Sequence, residues 1–117
     1  MSFGAIVRLE RNKKGIPLSR ISSACGVSIS YLSDIESGRR KAPSETTVEI
    51  IADTIGVDDE TRTRLFEEAR ISRIKLNFDL HGRSSSEVDF MERLHRCWQL
   101  RELDSPTIER LSELLPG

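Results

Sequence analysis

Ser28, Ser30, Ser33 and Ser37 recur at short intervals around Ile29 and Asp34, and three cations, Arg39, Arg40 and Lys41, follow at once. Serine hydroxyls are small, both donate and accept hydrogen bonds, and suit base edges in the major groove of DNA. Cations just beyond them stand where backbone phosphates would lie. No competing chemistry is legible. The chain has no Ser/His/Asp set, no glycine-rich phosphate loop and no carboxylate pair in a supporting context. His81 and His95 lack companion ligands at metal spacing, so neither a metal nor a cofactor is expected. Cys25 and Cys97 show no paired spacing, so neither a disulfide framework nor a zinc site is suggested.

Such a face needs a rigid carrier. Gly26 lies between two apolar-patterned segments where the chain must turn sharply, and glycine tolerates positive φ there. A helix should end near Cys25, and Ser28 should cap the next, with Val27 and Leu32 as a hydrophobic staple. Gly38 marks its end. At roughly 100° per residue, Tyr31, Leu32 and Ile35 fall on the inner side, and Ile29, Ser30, Ser33, Asp34 and Ser37 on the outer. The outer side carries none of the long Lys and Glu side chains that usually solvate an exposed helix.

The rest of the chain supplies more helices. Residues 3–14 predict one, with Phe3, Ile6, Val7 and Leu9 inward and Gly15 ending it. A second starts at Pro17 and turns Leu18, Ile21 and Cys25 inward. Ser44 caps a fourth with Val48, Ile51, Ala52 and Ile55 inward and Gly56 as its stop. The acidic run from Asp58 to Glu60 opens a fifth, which buries Leu65, Phe66 and Ala69. Residues 71–80 alternate imperfectly between apolar and polar and read as either helix continuation or an extended arm. Residues 82–86 read as a flexible linker. A sixth helix is expected from Ser86 to Leu103, and a seventh follows Ser105-Pro106.

At 117 residues one compact domain with an extension is expected. No apolar run approaches the roughly 18 residues of a membrane span, and the start is unlike a signal peptide, so a soluble, cytoplasmic protein is expected. The formal charge of −1 is unevenly spread. Residues 1–56 carry eight Lys/Arg against six Asp/Glu, residues 57–83 six of each, and residues 84–117 four against seven. The N-terminal part is the anion-binding candidate, and its weak excess means that geometry must supply much of any selectivity.

Residues 3 to about 69 resemble the Cro/cI-type helix-turn-helix regulators, the xenobiotic response element (XRE) family. The resemblance is carried by Lys14-Gly15-Ile16, Gly26-Val27-Ser28, Ser30-Tyr31-Leu32-Ser33, Ile35-Glu36, Gly38-Arg39-Arg40, Pro43-Ser44, Ile51-Ala52-Asp53 and Ile55-Gly56-Val57. It implies an all-α fold: a five-helix lambda-repressor-like DNA-binding domain, here followed by a C-terminal helical hairpin. The third helix would enter the major groove of double-stranded DNA. By position, Ile29, Ser30, Ser33, Asp34 and Ser37 would read bases, Ile29 against a thymine methyl and Asp34 accepting from a cytosine amino group. Asp34 has an alternative, pairing with Arg39 or a neighbouring cation. Arg39, Arg40, Lys41 and Ser44 would hold phosphates. The resemblance also implies a structural ion pair between Arg11 and Glu36. Relatives often start the second helix with a Ser or Thr cap and a glutamine; this chain has Pro17 and Leu18 there, leaving Arg20 as the substitute phosphate contact.

The expected organisation is a DNA-binding domain over 1–70, a linker or arm over 71–85 and a hairpin over 86–117. Val88, Met91, Leu94 and Trp98 on one helix and Ile108, Leu111 and Leu114 on the next form a stripe too wide for some thirty residues to bury alone. A symmetric pair of chains is the commonest way to cover such a face. The function expected is a sequence-specific transcriptional regulator, a repressor acting as a homodimer on a palindromic operator, and not an enzyme. The alternative is an adaptor or antitoxin-like chain whose acidic tail binds a protein partner.

Overall fold

The computed structural model describes residues 1–117 as seven helices and no strand: α1 (Phe3–Lys13), α2 (Leu18–Cys25), α3 (Ile29–Glu36), α4 (Glu45–Ile55), α5 (Asp59–Arg73), α6 (Ser85–Gln99) and α7 (Ser105–Leu114). Two compact units divide it, Met1–Leu76 and Asn77–Gly117. No helix is long and apolar enough to cross a membrane.

Local chemistry sets the helix ends of the first unit. Ser2, Ser28, Ser44 and Asp58 each accept, through a side-chain oxygen, from the amide three residues on, which satisfies a donor that the first turn leaves free. Gly26, at φ 70°, ends α2 in the left-handed region and lets the chain turn into α3 within two residues. Pro17 stands at the cap of α2 rather than inside its first turn, and no side-chain bond caps that helix.

The core lies among α1 to α5: α1 packs on α3 and α5, α2 on α3 and α4, and α4 on α5. Ile6, Ile21, Val48, Ile51 and Leu65 are its largest fully buried side chains. Burying each contributes about 1.5–3 kcal/mol. In α1 the inner stripe is Phe3, Ile6, Val7 and Glu10, whereas Leu9 is exposed, contrary to the sequence-based expectation. The spacing explains the correction, since residue 10 lies three and four positions beyond Val7 and Ile6 and therefore on their face.

Two contacts lock α1 onto the end of α3. A Cβ placed on Gly4 would lie 2.1 Å from the Ile35 carbonyl oxygen and 2.8 Å from the Glu36 Cα, so the two helix backbones touch here without side chains between them. Close by, the Arg11 guanidinium donates to Glu36 in a fork, Nε to Oε2 at 2.8 Å and Nη2 to Oε1 at 3.0 Å. Arg8 Nε adds a third bond at 3.3 Å, and Arg11 Nη1 reaches the Ile16 carbonyl at 3.0 Å. The Glu36 side chain is only 2% exposed. Hydrogen bonding to Glu36 raises the Arg11 pKa above its ordinary value, with burial opposing.

Residues 71–73 continue α5, and its last turn grips the segment between α3 and α4. Ser72 Oγ accepts from the Ala42 amide at 3.0 Å, and Arg73 donates to the Pro43 carbonyl from Nε at 3.0 Å. Ala42 and Pro43 are buried, so Arg39–Lys41 hang between α3 and an anchored end.

In the second unit, Ser84 to Ser86 form the start of α6 rather than a flexible linker. Ser84 Oγ accepts from the Glu87 amide, and the Glu87 carboxylate accepts from the Ser84 amide, both at 3.2 Å, a reciprocal capping box. Donation from the Ser84 amide and hydroxyl to the carboxylate holds the Glu87 pKa below the usual carboxylate value. α6 stops at Gln99, short of the expected Leu103, because Leu100 ends the helix and Arg101 takes a positive φ of 55°. Neither α6 nor α7 buries a residue, and the two do not pack extensively on one another.

The lock on α3 yields two predictions. Glu36→Ala leaves the largely buried Arg11 guanidinium without its carboxylate and should cost about 3–5 kcal/mol, read as a lower urea midpoint at unchanged slope; Glu36→Leu combined with Arg11→Met should recover most of that loss. Gly4→Ala forces α1 away from α3 and should destabilise by about 1–3 kcal/mol or more, read by calorimetry. An unchanged melting temperature for Gly4→Ala would contradict the close approach.

Candidate nucleic-acid interface

The Ser28 cap fixes the direction in which α3 leaves the turn, and the burial of Leu32 and Ile35, 2% and 3% exposed, fixes its rotation. What remains outward follows. Ile29, Ser30 and Ser37 are exposed, and Ser33 and Asp34 are half-buried on the same side. Ile29 is 49% exposed in the first turn, an uncovered apolar group beside two serine hydroxyls. Tyr31 lies between the two sides, partly buried against the core.

The turn after α3 folds back on Asp34. Its carbonyl oxygen accepts from the Arg39 amide at 2.9 Å, the Arg40 amide at 3.3 Å and Ser37 Oγ at 3.1 Å. This return brings both guanidinium groups to the carboxylate of the same residue: Arg39 Nε donates to Oδ1 at 2.9 Å, and Arg40 Nε lies 3.8 Å from Oδ2. Arg40 also sits over the Tyr31 ring, 5.4 Å from its centre. Of the alternatives open for Asp34, the free protein therefore displays the arginine pairing.

An open groove of about 520 Å³ runs between the starts of α3 and α4, lined by residues that include Ser28, Tyr31, Arg40 and Ser44. A second depression shares Tyr31, Arg40 and Ser44 and extends to Lys41 and Arg73. Two helix N-termini thus open onto one concave surface edged by cations, an arrangement that favours phosphate oxygens. Ser44 Oγ is engaged in capping, 3.4 Å from the Thr47 amide, so the contact that Ser44 offers an anion comes from the free amides of that turn. Arg20 on α2 and Lys41 are exposed and form no ion pair.

Sequence reasoning overlooked three groups that shape this surface. Tyr31, expected on the inner side, also seats Arg40 on its ring. Ser72 and Arg73 tether the loop from outside the segment read as the domain. Arg8 completes the shell around Glu36. None has a local signal, because each partner is distant in sequence or set by the turn. Cys25 is half-buried against the core, and burial pushes its thiol pKa up, which disfavours the reactive thiolate. In the second unit, Val88, Met91 and Leu94 are partly covered, whereas Trp98, Ile108, Leu111 and Leu114 are exposed.

Comparison with curated proteins gave no match. A solved structure, that of the clp gene regulator ClgR from C. glutamicum, is 28% identical, covering 63% of this chain and 91% of that one with a TM-score of 0.47. The family model of the helix-turn-helix domain matches residues 2–65, more than half of the chain and the whole span from the Ser2 cap through Leu65 of α5. By that match, and with α2 and α3 joined by the tight Gly26 turn, the chain belongs to the helix-turn-helix domain family.

Proposed function

We propose that this protein is a sequence-specific DNA-binding transcriptional regulator that represses by occupying a two-fold symmetric operator as a homodimer. The observation that carries the reading is the outward face of α3. It is short, hydroxyl-bearing and held at a fixed rotation, with Arg20 on one neighbouring element and Arg39–Lys41 on another. Ile29, Ser30, Ser33 and Ser37 face the base edges in this arrangement, and Arg20, Arg40, Lys41 and the α4 amides at Ser44 hold the backbone on either side. Asp34 shares the base-reading face and accepts from a cytosine amino group only once its arginines are released.

Homodimerisation is supported by the second unit. α6 and α7 expose Phe90, Trp98, Ile108, Leu111 and Leu114, with Trp98 at 68%. The charges on α6 are polarised along its length: Glu87, Asp89 and Glu92 precede Arg93 and Arg96. Two copies of α6 side by side in antiparallel orientation set each acidic half against a basic half, while parallel copies oppose like charges. Such a pair presents two α3 helices to half-sites about 34 Å apart, one turn of DNA.

Ser30→Arg with Ser33→Ala should abolish the preference of the protein in selection from random DNA while leaving its melting temperature within a few degrees. Each lost base contact should cost about 1–3 kcal/mol on the selected site; an unchanged preference would remove α3 from base reading. Deleting residues 84–117 should yield a monomer by light scattering and weaken operator binding by about tenfold or more, since two linked half-site contacts become one. An unchanged mass would end the dimerisation role.

A further inference from the structure

α5 gives way at Ile74 to extended backbone, φ −82° and ψ 124°, and no further helix forms until Ser85. From Lys75 to Leu80 no amide donates to another backbone group, and from Ile74 to Asp79 no carbonyl accepts from one. The segment closes on a turn, where the Leu80 carbonyl accepts from the Arg83 amide at 3.1 Å. Its residue types alternate: Ile74, Leu76, Phe78 and Leu80 are apolar, and Lys75, Asn77 and Asp79 between them are polar. Extended backbone sorts the two sets onto opposite faces. The apolar side is uncovered, with Ile74 50% exposed, Leu76 73% and Phe78 64%. Free backbone groups and one apolar face are the marks of an edge strand without its neighbour.

The charges say which neighbour fits. Around Asn77 the segment is symmetric, with Lys75 two residues before it, Asp79 two residues after it, and apolar residues at the positions between and beyond. A second copy laid antiparallel, Asn77 opposite Asn77, sets each Lys75 against Asp79 of the other copy and pairs Leu76 with Phe78 on the opposite face. A parallel copy in register opposes like charges, and a slip of one residue brings apolar side chains opposite polar ones. Asp79 Oδ1 accepts from the His81 amide at 2.9 Å, which leaves Oδ2 for a cation.

We propose, on the reading that this chain acts as a homodimer, that residues 74–80 are an interaction surface for a second copy, paired as an antiparallel two-stranded ribbon centred on Asn77 and held in register by reciprocal Lys75–Asp79 bridges. Two strands alone are marginal in water, so the ribbon joins the pairing of residues 84–117 and does not replace it.

Charge reversal in the full-length protein tests the pairing, read by sedimentation velocity. Lys75→Glu makes both bridges of the dimer like-charged, as does Asp79→Lys, and each alone should raise the dimer dissociation constant about tenfold or more. In an equimolar mixture of the two variants, one chain of each kind restores opposite charges at both bridges, so association should return to within about threefold of the wild type. A contact inside one chain predicts no such recovery. Both side chains lie on the surface, and circular dichroism melting of each variant confirms that the fold is retained. The inference is overturned if a dimeric wild-type protein is indifferent to either reversal, or if mixing restores nothing. A wild-type protein that stays monomeric throughout the titration instead removes the homodimer reading, and this inference with it.

Discussion

A carboxylate at the last residue of α3, almost wholly withdrawn from water, is the constraint on which the geometry of this protein turns. Buried, Glu36 requires a guanidinium, and Arg11 supplies it through two parallel bonds that also fix the angle between α1 and α3. Gly4, on one helix face with Arg8 and Arg11, acts on the same turn by admitting the α1 backbone against the Ile35 carbonyl. An ion pair of this kind is a modest source of net stability compared with apolar packing of equal volume. Its effect is positional. The end of α3 is held by charge and contact, and the burial of Leu32 and Ile35 sets which side of this eight-residue helix faces the core.

That rigidity matters because the outward residues are short. A lysine or glutamine can correct a poorly placed backbone with its own length, whereas a serine hydroxyl reaches only as far as the helix axis carries it. For the proposed base contacts, a face built from Ser30, Ser33 and Ser37 requires a helix held to within about half an ångström of its place. The same logic covers the basic loop, clamped at one end by the returns to Asp34 and at the other by Ser72 and Arg73.

Much of this was readable from the chain, and the parts that were share a cause. Ser28, Ser44 and Asp58 act on amides three residues away, and Gly26 and Gly56 act on their own dihedrals, so the signal and its effect lie in the same window. The apolar stripes of α2 and α4 are likewise local. What stayed hidden had more than one cause. Glu10 displaces Leu9 from the inner stripe of α1 because helical phase outweighs residue type. The need for glycine at position 4 is created by a carbonyl thirty-one residues later. The capping box at Ser84 was local and legible, yet the run of serines read as linker because its composition masked the Ser-x-x-Glu spacing. In the site, the rotation of α3 and the identity of its outer face were accessible, but the state of Asp34 was not, since it depends on a turn that brings residues five and six positions on back to one carboxylate.

The two units solve the problem of apolar surface differently. Residues 1–76 close a core around fully buried aliphatics from α1, α2, α4 and α5, and residues 77–117 close none. Forty-one residues whose two helices bury no side chain lack the burial to offset the conformational entropy of ordering them. Their helices are well capped, by Ser84 with Glu87 and by Asp104, so the chain invests in local helix formation where tertiary packing is missing. Local capping without a core is the condition in which an amphipathic helix gains most from a partner, because the cost of folding it has been partly met before association begins. In the proposed homodimer, the polarity of charge on α6 would favour the antiparallel orientation of the partner helix.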